Sequence, residues 1–353
     1  MSGSWEVAQQ PKQERGLGVR DLATHNACLL LKLLHRLHHP EDSAWAIWAR
    51  RSTDMISMKG PADGNHWEGL QALLPAYRCI TSVQVGDGAS TSSWWDSWLG
   101  AFTLAVQFPC LLSHSTNKDV SVQQIIQLGI SYNLTARLSS QATLELTEVQ
   151  QLLASITLTQ QPDRRTCKFA DTTSKLNTGA IYRASTYSGV SSRIYNYVWT
   201  SRAPTRVRFF GWLLMRGRLQ CRANLYYKHV LDDDICELCR QQPETSDHLI
   251  FHCTVAKEFW NHLGFQGLPL PSVQQLWDMP RPPTIPPKHF NTMLLLCCWN
   301  IWNHRHDVVF RHQQPSLRRL LAACKEAARL WGCRLRQRDR HLVDVWCQMF
   351  VMH

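Results

Sequence analysis

Cys236-Glu-Leu-Cys239, His248 and Cys253 place the tightest constraint on what this 353-residue chain can fold into. Two cysteines two residues apart, an eight-residue gap, a histidine, a four-residue gap and a cysteine make a CCHC set. A CxxC knuckle puts two thiolates on one ion, and two later ligands close a tetrahedron around Zn²⁺. Four protein ligands leave no open position for water or substrate, so such a site holds a fold together and does not catalyse. The expectation is a small zinc-stapled helical module with Zn²⁺ as a structural cofactor. Even without metal, the three sulfurs and one imidazole nitrogen should lie within about 4 Å of one another.

The fourth ligand needs a geometric check. On an ideal α-helix, at about 100° per residue, His248 and Cys253 stand about 140° apart, and His252 lies only about 40° from His248. His252 is therefore the rival if 248–253 is one regular helix. Thr254 suits an N-cap, followed by Val255, Phe259 and Leu263 at apolar spacing. A helix starting there puts Cys253 at its N-terminus, where the dipole favours a thiolate. Cys253 is the expected ligand.

Only three of the 13 cysteines fall in this set, and the scattered remainder, including Cys297-Cys298, makes a poor disulfide framework. The N-terminus lacks the basic-then-apolar pattern of a secretory signal. The longest apolar runs are far short of the ~20 residues that span a bilayer. An intracellular protein, in nucleus or cytoplasm, is expected, with no membrane partner and no small-molecule substrate.

The formal charge of +11 suits a polyanion. Seven basic residues and no acidic one lie between Ser201 and Leu231. Arg206, Arg208, Arg216, Arg218, Arg222 and Lys228 are the candidate phosphate contacts, to RNA or DNA. A second basic tract, Arg311 to Arg340, is relieved only by Glu326 and Asp339. The bland alternative for either tract is a solvated helix face.

The fold class expected is mixed, mostly α, with a small β-hairpin region. Ala27, Leu30, Leu31, Leu34 and Leu37 predict a helix over 21–38 capped by Asp21, and Trp45 and Trp48 one over 42–51. Ile80 to Val85 alternates like a strand, Gly86-Asp-Gly88 turns, and Thr91 to Trp95 returns as its hairpin partner. Trp94, Trp95 and Trp98 read as core. The stretch 113–190 is polar and is expected to be a loosely packed connector, with a helix over 144–153 and a weaker one over 179–187. The predicted layout is a helical and Trp-rich region at 1–112, the connector at 113–190, the zinc module at 191–265 and a basic helical region at 266–353.

Val198-Trp199, Pro204, Arg206-Val207, Phe209, Trp212, Arg218-Leu219, Leu225, the CxxC, Glu244-Thr245, His248-Leu249, Cys253 and Trp260 together resemble the zinc-binding domain of plant LINE-type (non-LTR) retrotransposon reverse transcriptases. Gly16-Leu-Gly-Val-Arg-Asp-Leu22 is similar to the region after the polymerase in that family. Val85-Gly-Asp-Gly88, Trp95-Asp96, Trp98, Gly100 and Phe108-Pro109 resemble its Trp-rich segment. Trp299, Ile301-Trp302, Arg305 and Phe310 resemble the helix that follows the zinc domain. Ser93, where the family usually has Phe, and His304 depart from the pattern without touching the metal set.

The resemblance implies a C-terminal fragment of a reverse transcriptase that is not itself an enzyme, since it begins downstream of the polymerase's catalytic aspartates. Asp232-Asp-Asp234 leads into a CxxC and reads as a turn, because two-metal chemistry needs carboxylates converging from separate elements. No Asp/Glu constellation of the ribonuclease H kind and no phosphate-binding glycine loop is expected. The alternatives are a protein-interaction or scaffold module, or a transposon relic without a selected role.

Overall fold

The computed structural model describes residues 3–39, 43–60 and 64–352. It is mostly helical with one small two-stranded antiparallel sheet. The chain divides into two units: Arg20–Tyr187, and Met1–Val19 joined with Ser188–His353. The second unit therefore takes in the expected zinc module, the region after it and the N-terminal segment. Among the described residues no helix is long and apolar enough to cross a membrane.

In the 20–187 unit the apolar stripe beginning at Ala27 does form a helix, Leu22–Leu37, and Asp21 caps it by accepting from the Thr24 N–H at 2.8 Å. Its buried Leu31, Leu34 and Leu37 pack with Leu70, Leu74 and Tyr77 of the Asn65–Cys79 helix and with Ile181 of the Thr178–Thr186 helix. The next helix is Ala44–Ser52, capped by Ser43; the expected start at Asp42 lies outside the described residues. Trp45 and Trp48 are partly exposed on it.

Two expectations need correction here. β1 (Thr81–Gln84) pairs antiparallel with β2 (Arg164–Cys167), in the register Thr81↔Cys167, and not with Thr91–Trp95. The cause is Asp163, one residue before β2. Its carboxylate accepts from the N–H groups of Gly86, Gly88 and Ser90 at 2.8–3.1 Å and from the Thr91 hydroxyl at 2.6 Å. The 86–91 backbone wraps this anion instead of folding back as a hairpin. A Cβ at Gly86 would sit 2.1 Å from the Gln161 carbonyl oxygen, so no side chain fits.

The polar stretch 113–187 is also not a loose connector. Val120, Val122, Ile125, Ile130, Ala142 and Val149 are buried, and most of them close a cluster with Trp94, Leu104, Phe108 and Leu111. The Ser140–Ala154 helix carries Ala142 and Val149 on its inner face, with Glu145 bonded to the Leu111 N–H at 2.7 Å. A few apolar residues at the right positions outweigh a polar average. Trp94 is core, as expected, while the indole N–H groups of the half-buried Trp95 and Trp98 bond to backbone carbonyls.

Asp96 and Arg165 form a buried bidentate pair at 2.7 and 2.9 Å, with Arg78 Nε at 3.4 Å. Burial alone would raise the Asp96 pKa, but the Arg165 charge and hydrogen bond outweigh it and hold the carboxyl low.

The second unit is organised around the Phe290–Arg311 helix. Met293 to Cys298 are buried on every side of it, as a central helix requires. The Thr205–Met215 and Leu317–Gly332 helices pack against it, and His341–Met349 packs on the latter. Gly211 lets the first of these approach, since a Cβ there would meet Leu295 Cδ2 at 2.6 Å. Val207, Phe210 and Leu214 face inward, as their spacing predicts.

Candidate metal centre

The CxxC lies in a tight loop closed by its own backbone. Cys236 N–H donates to the Gln242 carbonyl at 2.9 Å, Arg240 N–H donates to the Cys236 carbonyl at 2.7 Å, and Ile235 bridges Pro243. Arg240 takes a left-handed φ of 54° to turn the chain. The neighbouring Cys253 sulfur first, then burial, push the Cys236 thiol up, and the backbone N–H groups of Cys239 and Leu238 offset this only in part.

The strand of loop leading away is tied to the scaffold by Glu244, which is fully buried. It receives Arg305 Nη2 at 2.8 Å from the Phe290–Arg311 helix and the Arg222 N–H at 2.9 Å. Arg305 is itself nearly buried, so the pair fixes the knuckle to the central helix. Both residues stand in the stretches that resemble the reverse-transcriptase zinc domain, but nothing in the sequence pairs them.

His248 opens a short π-type turn, His248–His252, and Thr245 Oγ accepts from its N–H at 3.0 Å. The turn closes with Cys253 N–H donating to the His248 carbonyl at 2.6 Å, an i→i+5 bond. This widened turn is the answer to the angular mismatch: one extra residue per turn brings residue 253, and not 252, back over residue 248. His252 is exposed and Cys253 fully buried.

Cys253, and not Thr254, is the N-cap of the Thr254–His262 helix, so its sulfur stands at the positive end of that helix. Cys236 and Cys253 share a hydrogen bond, and this bond first, then the helix N–H groups, holds the Cys253 thiol well below its usual range.

The ligand atoms of Cys236, Cys239, His248 and Cys253 all lie within 4.8 Å of one another. The spread is looser than the expected 4 Å or so. With Zn–S bonds of about 2.3 Å a tetrahedron has edges near 3.8 Å, so the widest gap needs to close by about 1 Å. Cys239 Sγ and His248 Nε2 stand 3.3 Å apart. His248 Nδ1 is buried without a hydrogen-bond partner, so packing orients the ring, while the Thr245 bond holds the backbone. Three sulfurs and one imidazole suit a soft, tetrahedral ion.

The basic residues sit in different surroundings. Arg206 is exposed, with its guanidinium 5.8 Å from the Trp299 ring centre. Arg208 is half-buried and bonds to the Trp199 carbonyl. Arg216 lies over Trp212 at 5.3 Å, beside the exposed Arg218. Lys228 is exposed and bonds to Gln220 at 3.1 Å. Arg222 is held by Asp233 at 2.6 Å and Glu237 at 2.9 Å, so local carboxylates already neutralise its charge. Asp233 belongs to the Asp232–Asp234 run, which serves here as a structural anchor.

A family model described as zinc-binding in reverse transcriptase matches residues 177–260, about a quarter of the chain, and the match includes all four clustered residues. The chain is 21% identical over 272 residues to a "Putative ribonuclease H protein" of Arabidopsis thaliana. That alignment covers 72% of this chain and 43% of the relative, so the chain spans less than half of that protein's length. No solved structure matches.

Proposed function

We propose that the chain is a non-catalytic, zinc-stapled, nucleic-acid-binding piece of a LINE-type reverse-transcriptase polyprotein. The observation that carries this reading is the convergence of Cys236, Cys239, His248 and Cys253 inside the segment that resembles a reverse-transcriptase zinc domain. When bound, the ion supplies a cross-link between the knuckle loop and the N-terminus of the Thr254–His262 helix. With four protein ligands it has no vacant position for a reacting water, which favours a structural role over a catalytic one. The chain's own residues then do the binding: Arg206, Arg216, Arg218 and Lys228 are exposed or half-exposed cations on the same unit.

A titration of the zinc-loaded full chain against single-stranded RNA and duplex DNA tests this. Log K should fall with log salt by about 0.7 per contact for a single strand and about 0.9 for a duplex. Affinity no better than that of a charge-matched control peptide would remove the nucleic-acid part of the reading. A second reading, a protein-interaction module, is favoured by the exposed Tyr226, Tyr227 and Val230 beside the knuckle. It predicts that Tyr227→Ala abolishes partner capture and leaves nucleic-acid affinity unchanged.

A further inference from the structure

Arg15, Arg193, Arg216 and Arg218 come from three separate stretches of chain yet line one groove of about 550 Å³, with Ser191, Ser192 and Gln274 as polar neighbours and Ile194, Met215 and Trp277 as apolar lining. Arg15 holds a left-handed φ of 84°, a conformation a non-glycine residue adopts only when its surroundings impose it. Trp212 imposes it. The indole N–H bonds to the Arg15 carbonyl at 2.8 Å, and the face of the same ring carries Arg216 at 5.3 Å. One tryptophan thus organises two of the four cations.

The charges are poorly compensated. Among the described residues, Arg15, Arg216 and Arg218 have no carboxylate partner, and Arg193 has only a long, exposed contact to Asp278 at 3.7 Å. Arg216 Nε is buried with no acceptor. Burial, then the charges of Arg218 and Arg15, lower the Arg216 pKa, the expected effect of like charges gathered without a counter-ion. Arginines brought together at this cost mark a place where an anion completes the site.

We infer that this groove holds consecutive phosphates of a single-stranded nucleic acid, with Arg15, Arg193, Arg216 and Arg218 as the phosphate contacts. This deepens the nucleic-acid reading above and rests on it. A single strand fits better than a duplex. A volume of about 550 Å³ takes a short stretch of sugar-phosphate backbone with its bases turned aside. Apolar and aromatic surface beside the cations suits unstacked bases.

The test uses the zinc-loaded full chain and a labelled single-stranded RNA of about 15 nucleotides, a length typical of strand-binding sites. The variant is Arg15→Gln, Arg193→Gln and Arg218→Gln combined; Arg216 is kept because it packs on Trp212. Each lost contact should cost about five-fold at 0.1 M salt, so affinity should fall roughly 100-fold and the salt slope by about two units. A control with the same charge change, Arg318→Gln, Arg336→Gln and Arg340→Gln on exposed positions elsewhere, should lose little. Unchanged affinity and slope in the groove variant, with the parent still binding, overturns the groove and leaves the broader reading standing. Equal loss in the control reduces the groove to net charge. Inorganic pyrophosphate binding as tightly as the oligonucleotide would assign the groove to a small phosphate ligand instead. A parent chain that does not bind RNA overturns both readings.

Discussion

Cys253 and His252 differ in their surroundings more than in their distance along the chain. The i→i+5 bond from the Cys253 N–H to the His248 carbonyl turns the cysteine inward and leaves His252 exposed. Cys253→Ser should therefore abolish zinc retention, whereas His252→Ala should leave one zinc per chain, both read as metal content after gel filtration. The reverse pattern would transfer the fourth ligand to His252. The four ligand types and their spacing were legible in the sequence because a metal site demands particular atoms at particular separations. The widened turn was not, because an i→i+5 bond depends on how Leu249 to Phe251 pack, all of them buried. The pairing of Arg222 was hidden for a related reason. Its carboxylate partners, Asp233 and Glu237, lie beyond the acid-free run that drew attention to it.

Among the elements, the Phe290–Arg311 helix takes anchors at both ends of its buried face: Arg305 on Glu244, and Lys288 and His289 just before it on Asp339. The hydrogen bonds and charges of Lys288 and His289 hold Asp339 down, to about 2. A carboxyl depressed in the folded state contributes stability above its unfolded pKa and loses it as pH falls through the folded one. The wild type should accordingly be more stable than Asp339→Asn at pH 5, and the gap should close between about pH 4 and pH 2. Thermal melting of both chains across that range checks it; a gap independent of pH would mean that Asp339 acts only through packing. Helices with an apolar stripe and a cap, such as Leu22–Leu37 with Asp21, were readable from residues 21–38. The β1–β2 pairing was not, because its determinant, Asp163, lies more than 70 residues from the Gly86 and Gly88 N–H groups it binds. Nor does a Ser-, Thr- and Gln-rich average reveal that Val120, Ile125 and Val149 reach a core.

The whole molecule divides into 20–187 and a unit that joins 1–19 with 188–353, with the zinc cradle in the latter and the Asp96–Arg165 pair in the former. Each unit has its own buried core, so loss of metal should be local. Cys239→Ser should disorder the region around 230–260, lowering helical circular dichroism, while hydrogen exchange within 20–187 stays protected. Protection lost equally across 20–187 would mean the units do not fold independently. The two-unit layout was only partly legible: the basic, Trp-rich and zinc-binding segments could be told apart by composition. That Arg15 lies in the same unit as Arg216 could not, since the Trp212–Arg15 bond spans nearly 200 positions.

The central claim, that these four side chains hold a structural zinc, is most directly tested by X-ray absorption and metal analysis of the full chain purified under reducing conditions. The account predicts one zinc per chain in a four-coordinate shell of three sulfurs at about 2.3 Å and one nitrogen at about 2.0–2.1 Å. A 230–260 region that folds equally well without zinc, or a bound zinc with an open position occupied by water, would contradict it.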